Sequence, residues 1–561
     1  LASAPKVDTP GLFEGLGIAV LPASRAFGRN SLWWLALALC GLCLLPVLQV
    51  GSALFSPAPE VWAHVGPLLP GLLVNTLELV LGVVIGTGVL GVGLAWLTAL
   101  HEFPGRTLLS WALMLPLAVP AYVLGFVLVA LFDYSGPVPT VWRLWFGPDA
   151  WFPSVRSTGG VILALTLALY PYVYLLARNA FMTQSARTVE AARSLGLGRA
   201  GAFWRVTLPM ARPWIGTGLL LVAMETLADF GVVSVFNYET FTTAIYKAWF
   251  GLFSLPAAAQ LASFLILFAL TALAAEQALR ARQRYYLCAR GGAGLPVRRL
   301  TGWRGALALV AAVSVLLPAF LLPMAELVVW SALVFLRDAD ARFLGYCLNT
   351  LSLAGAGAGS IVLAALLLSL VKRRWPDART RIMVRLATLG YALPGTVLAV
   401  GVFLPLAWFD NVWIDLARAA WGFEPAPLFG GGLLALLIAY LIRFLAAGFG
   451  AVDSAMERVT PRMEDAARGL RVSGWRLLRR VYAPLLRGGL STGFLLALVD
   501  IMKEMPITLL MRPFGWDTLA VRIFEMTSEG EWQRAALPSV VLVLAGLIPI
   551  VSLMRASERH P

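Results

Sequence analysis

Apolar residues along this chain gather into long unbroken runs, each bounded by charged residues or by Pro and Gly breaks. The runs fall at about 32–54, 75–99, 107–132, 158–179, 213–236, 255–279, 304–330, 349–371, 382–408, 431–450, 489–510 and 536–554, and each supplies the roughly 20 residues that a helix needs to cross a bilayer. The pattern predicts twelve transmembrane helices. No stretch between the runs is long enough for a large soluble domain, so the ordered mass is the membrane domain itself.

Composition agrees: 561 residues, 59% hydrophobic and 13% charged, with a mean hydropathy of +0.80, exclude an ordinary soluble protein. The first run follows a polar lead of about thirty residues and lacks a small-residue cleavage site, which predicts a transmembrane helix rather than a secretory signal. Residue 1 is Leu, so the native start is expected upstream. Four cysteines are too few and too scattered for a disulfide framework or a zinc site, and the Cys40-x-x-Cys43 pair lies inside an apolar run, where two buried small side chains are expected. The three histidines, His64, His101 and His560, supply no catalytic cluster.

Charge then sets the orientation, because Lys and Arg accumulate on the cytoplasmic side of membrane proteins. With the N-terminus inside, about 34 of the 44 Lys and Arg fall on that side and about 9 outside, while Lys503 lies within a span. Both termini are therefore expected to be cytoplasmic. The net charge of +14 is explained by loops beside membrane, without nucleic acid. The linker from Arg280 to Arg304, with Arg282, Arg284, Arg290, Arg298 and Arg299, is the densest case and reads as solvated interfacial charge.

The runs also repeat. Asn75-Thr76-Leu77 recurs as Asn349-Thr350-Leu351, and Pro120 as Pro394, both at an offset of 274; Ala191 to Arg193 recurs as Ala466 to Arg468, and Pro209 as Pro484, both at 275. Six spans per unit make the two halves enter the membrane in the same direction, giving a parallel pseudo-dimer with a potential pathway at its interface. A secondary transporter of 6+6 design would show the same duplication.

The loop SARTVEAARSLGLGRAGAFWRVTLPMARP separates the fourth and fifth spans, and ERVTPRMEDAARGLRVSGWRLLRRVYAPLLRG separates the tenth and eleventh. In the first, helix formers run from Arg187 to Leu195, Gly196 and Gly198 interrupt them, and a second short helix is expected to end at Pro209. Each loop predicts a pair of short helices against the inner membrane face; two ordinary amphipathic connectors are the plainer alternative. A P-loop requires Gly-Lys followed by Ser or Thr, and Lys6, Lys247, Lys372 and Lys503 are never preceded by Gly, so ATP chemistry is expected in another polypeptide.

These loops resemble the EAA loop of ABC-importer permeases. The resemblance implies a coupling helix that docks in a groove of an ATPase subunit. It matches well at Glu190, Ala191, Ala192, Gly196 and Pro209; in the second copy Asp465 takes the Glu position and Arg471 the Gly position, with Ala466, Ala467 and Pro484 retained. That difference is expected to make the two docking contacts unequal.

The fifth span carries Glu225 and Asp229 and the eleventh Asp500 and Glu504, so each half holds two carboxylates four residues apart, expected on one helix face. A charge near the bilayer centre costs roughly 2.5–3.5 kcal/mol, so these groups are expected to face a partner or water. They either line a pathway for a cation, since hard ions favour oxygen ligands, or serve structurally, with Asp500 paired to Lys503 and the others bracing helix ends or bonding to backbone.

Over nearly the whole length the chain looks like the fused permeases of the ferric-iron import family, at ALHEFPGR, at METLADFG with FTTAIYKAWF, and at KEMPITLLMRPFGWDTLAVRIFEMTSEGEW with AALPSVVLVLAG. Thiamine, phosphonate and spermidine/putrescine permeases share the broader pattern. The resemblance implies an all-α integral membrane protein of the type I ABC-importer (MetI-like) fold in the bacterial inner membrane. Its partners would be a cytoplasmic ATPase dimer that uses ATP and Mg and a periplasmic binding protein that delivers the cargo. This chain would hold no cofactor and no firmly assigned metal. The corresponding organisation is a cytoplasmic segment 1–31, a first repeat 32–280 with its coupling loop at about 181–212, a linker 281–303, a second repeat 304–555 with its loop at about 451–488, and a tail 556–561. Loops around 134–157, 237–254, 409–430 and 511–535 are expected to meet the binding protein.

Overall fold

The computed structural model describes residues 31–55, 63, 65–184, 186–283, 298–470, 472 and 474–558. Residues 1–30, Arg284 and Arg290 of the basic linker, Arg471 of the second loop and the last residues 559–561 lie outside the described residues. The apolar runs of the first half become α1 (Ser31–Ala53), α2 (Leu69–Leu100), α3 (Ala121–Phe132), α4 (Thr158–Met182), the short loop helix α5 (Ala186–Ser194), α6 (Leu208–Ala228) and α7 (Leu255–Gln283). The second half supplies α8 (Trp303–Leu316), α9 (Leu322–Asp338), α10 (Ala341–Arg374), α11 (Gly395–Trp421), α12 (Leu433–Met456), the loop helix α13 (Pro461–Gly469), α14 (Ala483–Lys503) and α15 (Ala536–Glu558). Eleven described segments are long and apolar enough to cross a membrane, and the 23-residue α15 occupies the twelfth run. Among the described residues the only sheet is a parallel pairing of two-residue strands, β1 (His101–Glu102) and β2 (Arg298–Arg299).

Helix starts follow the local chemistry. Ser157 Oγ accepts from Gly160 N at the head of α4, and Asp340 Oδ1 accepts from Phe343 N at the head of α10, each satisfying a backbone donor that the first turn leaves open.

Several runs expected as single helices are broken. The third divides into Arg106–Ala112, a 3-10 turn Leu115–Ala118 and α3; the ninth divides into Ala378–Ala387, Leu389–Ala392 and α11. A proline pushes the preceding residue into extended backbone. Val119, before Pro120, has ψ 122, and Leu393, before Pro394, has ψ 135. Pro209, expected to end a helix, instead stands in the first turn of α6 and is followed by 19 more helical residues; Pro484 does the same in α14. Because Pro offers no N–H to the preceding turn, the ladder widens there into π turns, Phe203–Thr207 and Leu478–Tyr482. Leu208 N bonds Phe203 O and Ala483 N bonds Leu478 O.

The core does not follow the repeat boundary. One apolar cluster joins α2, α3, α4 and α6 to α8, α9 and α15 of the other half, and the second joins α10, α11, α12 and α14 to α1 and α7. The first and last helices of each half therefore cross over, so the two halves clasp one another. Glycines allow the close approach inside each half. A Cβ on Gly86 would lie 2.6 Å from Thr166 Oγ1, and one on Gly91 would lie 2.7 Å from Val173 Cβ, so α2 and α4 pack backbone to backbone as small residues permit in membranes. Cys40 and Cys43 are buried in α1 as small core side chains.

Candidate functional site

Two regions carry the chemistry: the helices α5 and α13 on one face, and a charged seam between the halves. On the first, Glu190 and Ala191 of α5 are exposed and Ala192 is buried. The helix ends in a Schellman cap, with Gly196 N on Arg193 O at 3.0 Å and Leu197 N on Ala192 O at 3.2 Å. Gly196 has φ +88, a conformation that costs an L side chain, while its surroundings are open; backbone conformation rather than space is what demands glycine. In α13 Asp465 and Ala466 are exposed and Ala467 is buried, the same disposition as in α5. Val472 N bonds Ala467 O at 2.9 Å, the counterpart of the Leu197 bond. Pro209 is half-buried and Pro484 exposed.

The seam lies near the far ends of α6 and α14. Glu225, 17 residues into α6, stands roughly 25 Å along the helix from Leu208. Its Oε1 accepts from the hydroxyl of Tyr391, in the broken ninth run of the other half, at 3.4 Å. Asp229 does not share its helix face, because α6 stops at Ala228. Asp229 Oδ1 accepts from Val232 N at 3.0 Å and Val233 N at 3.1 Å, holding the start of the helix Gly231–Val235. Glu504 has the same role after Lys503: its Oε1 accepts from Ile507 N at 3.1 Å at the head of Pro506–Met511. The four-residue spacing thus sets one carboxylate on each helix and one at its stop, where it satisfies the freed donors of the next turn.

Two cations complete the seam. Arg443 Nε pairs with Glu504 Oε2 at 3.2 Å, and its Nη1 donates to Leu393 O at 2.7 Å, the carbonyl freed by the break before Pro394. Gly395 makes room: a Cβ there would lie 2.8 Å from Glu504 Oε1. Lys503, also of the second half, reaches across so that its Nζ donates to Leu117 O of the first half at 3.1 Å, in the equivalent broken run. The expected partnership of Lys503 with Asp500 holds as an attraction between the two charges rather than as a contact ion pair, because the ammonium donates to the free carbonyl beside the Pro120 break. Asp500, half-buried, makes no direct hydrogen bond or contact ion pair among the described residues but lies in the field of Lys503 and Arg443. Nor do three His, Cys, Asp or Glu side chains there gather as a group able to hold a metal. The sequence reading missed Arg443 and Tyr391. Arg443 carried a signal, since it interrupts the apolar run 431–450; Tyr391 carried none.

A polytopic bundle of two like-oriented repeats, with a matched helix on one face of each half and a polar seam where they meet, is the architecture of a membrane transport component. The family described as "Binding-protein-dependent transport system inner membrane component" matches the chain twice, over residues 88–285 and 360–560. The chain belongs to that family and is the permease component of an ABC importer. It is 27% identical over 496 residues to the Fe(3+)-transport system permease protein FbpB 2 of Haemophilus influenzae, covering 87% of this chain and 90% of that one. The molybdenum transport system permease protein ModB of Escherichia coli is 32% identical over 30% of this chain and 72% of its own length. The putative 2-aminoethylphosphonate transport system permease protein PhnV of Salmonella typhimurium is 33% identical over 24% of this chain and 52% of its own.

Proposed function

We propose that this chain moves ferric iron across a bacterial inner membrane. The observation that carries this reading is the ferric-transport relative, which aligns along 90% of its own length and through both repeats, whereas the molybdenum and phosphonate relatives align with about a third of this chain or less. In this reading both termini are cytoplasmic. α5 and α13 dock on the two subunits of a separate ATPase through Glu190, Ala191, Ala192 and Gly196 and through Asp465, Ala466, Ala467 and Arg471, with Pro209 and Pro484 fixing the helices behind them. ATP and Mg act in that partner, and this chain carries neither an ATPase site nor a cofactor. A periplasmic binding protein delivers the cargo at the opposite face.

ATP binding rocks the clasped halves between inward-open and outward-open states, an equilibrium the two partners bias by binding one state better. The half-interface is the pathway. Glu225 and Asp500, equivalent in the repeat and not engaged in capping, are the carboxylates that meet the ion, while Asp229 and Glu504 hold the broken helices that frame it.

The test is uptake by proteoliposomes holding the chain, its ATPase and its binding protein. Radioactive ferric ion is expected to accumulate with ATP, while thiamine, a polyamine, molybdate and 2-aminoethylphosphonate do not. E225Q/D500N is expected to lower ferric uptake about tenfold or more in a folded complex. Uptake of another arm in place of iron overturns the cargo; unchanged ferric uptake by the double variant overturns the pathway.

A further inference from the structure

The α5/α13 face is unequally built. At the end of α10, Arg373 Nε pairs with Glu464 Oε1 of α13, and Tyr482 OH, in the π turn before α14, donates to the same Glu464 oxygen at 2.7 Å. Arg373 Nη1 also donates to Met456 O at the end of α12 at 3.2 Å, and the neighbouring Lys372 pairs with Asp453 of α12 at 2.5 Å. Arg373 and Glu464 are 21% and 13% exposed, which shields their pair from solvent. Beside them Ala455, Met456, Val459, Tyr482 and Leu486 form a separate apolar plug. One short loop helix is thus tied directly to α10 and to the turn that enters α14, and through Arg373 to α12.

By the repeat offsets, the first-half counterparts of Arg373, Glu464 and Tyr482 are Ala99, Val189 and Thr207, which cannot form this cluster. Lys372 and Asp453 are replaced there by Thr98 and Arg178; Thr98 Oγ1 lies 3.1 Å from Tyr174 OH, a neutral contact within the bundle. Among the described residues no ion pair joins α5 to a membrane helix.

At its other end α10 is fixed as well. Asn349 Nδ2 donates to Gly515 O and Asp517 O at 3.2 Å, and Leu519 N donates to Thr350 Oγ1 at 2.9 Å. With 34 residues α10 is about 50 Å long, so a single rod runs from α13 to the loops of the opposite face.

We propose that the Arg373–Glu464–Tyr482 cluster is a positioning bolt that makes α13 the principal force-bearing contact with the ATPase, with α10 as its rod and α5 as a compliant follower. This rests on the docking role proposed above. A tie of charge and hydrogen bonds resists both pull and shear, whereas the half-buried Val189 has no polar group with which to make one.

Spin labels at the equivalent exposed positions Val74 on α2 and Leu348 on α10 test this in the full complex with its ATPase, in a background whose native cysteines are replaced. The distance between them is measured without nucleotide and with ATP. The R373A complex is expected to keep its ATPase but lose about half or more of the ATP-induced distance change, a coupling loss of the usual allosteric size. The swap R373E/E464R is expected to recover most of the change, and V189A to leave it as in the wild type. If R373A fails to fold, Y482F, which removes one hydroxyl, decides with a smaller loss. Wild-type movement in R373A, or in Y482F where it decides, overturns the bolt, as does loss of docking in a folded R373A subunit, since the bolt acts after docking. Absence of any ATPase from the wild-type complex overturns the docking reading instead.

Discussion

The two halves share a plan and differ in how their long rods, α2 and α10, are tied off. Where α2 ends, the chain turns into β1, which pairs with β2 at the head of the second half: His101 stands opposite Arg298 and Glu102 opposite Arg299, and Leu300 N donates to Glu102 O at 2.7 Å. Where α10 ends there is no strand, and Lys372 and Arg373 reach into α12 and α13. The first half is clasped to its neighbour, and the second is tied to its own loop helix α13. The two repeats share a scaffold, and side chains at equivalent positions tie its ends differently.

The same contrast runs through the seam. Glu504 and Asp229 both hold a helix start, but of the two only Glu504 is ion-paired, to the half-buried Arg443. R443A would leave Glu504 as an unpaired buried charge and is expected to destabilise the folded protein by about 3–5 kcal/mol. D229A, which removes a cap without stranding a charge, is expected to cost about 1 kcal/mol. Thermal unfolding of the two variants in the same detergent ranks them; equal losses would show that the ion pair adds nothing to the cap.

The smallest effect belongs to the clasp. Burial pushes His101 below its ordinary 6.5, and the nearby Arg298 and Arg106 add to that against the backbone bond from the Trp96 side. A depressed histidine contributes stability that is present above its ordinary value and is lost as pH falls through 6.5 toward the folded value. The clasp is therefore expected to loosen on acidification, read as faster hydrogen exchange at the Leu300 amide in wild type than in H101Q at about pH 5.5, with the difference vanishing at about pH 7.5. No difference at the lower pH would remove His101 from the clasp.

Much of this architecture was legible in the residues. Apolar runs of the right length gave the helices, and Asn75, Pro120, Ala191 and Pro209 with their counterparts gave the repeat and both loop helices. What escaped was pairing and breakage. A helix that is apolar all round does not say which neighbour it meets, so the crossing of α1 and α15 into opposite halves was invisible. The stops after Ala228 and Lys503 are marked only indirectly, by Gly231 and Pro506 two residues beyond Asp229 and Glu504; the carboxylate caps reveal themselves only once the next turn is in place. Arg373 and Glu464 read as ordinary loop-face charge, because 91 residues separate them and neither sequence context names the other.

In the function proposed, α5 and α13 are the two contacts with an ATPase. Single cysteines at the exposed Ala191 and Ala466, introduced in a cysteine-free chain and treated with a short homobifunctional thiol reagent in the assembled complex, test it most directly. Cross-links from both positions to the ATPase subunit are the expected result. Cross-links from neither, with the complex intact, would contradict the account.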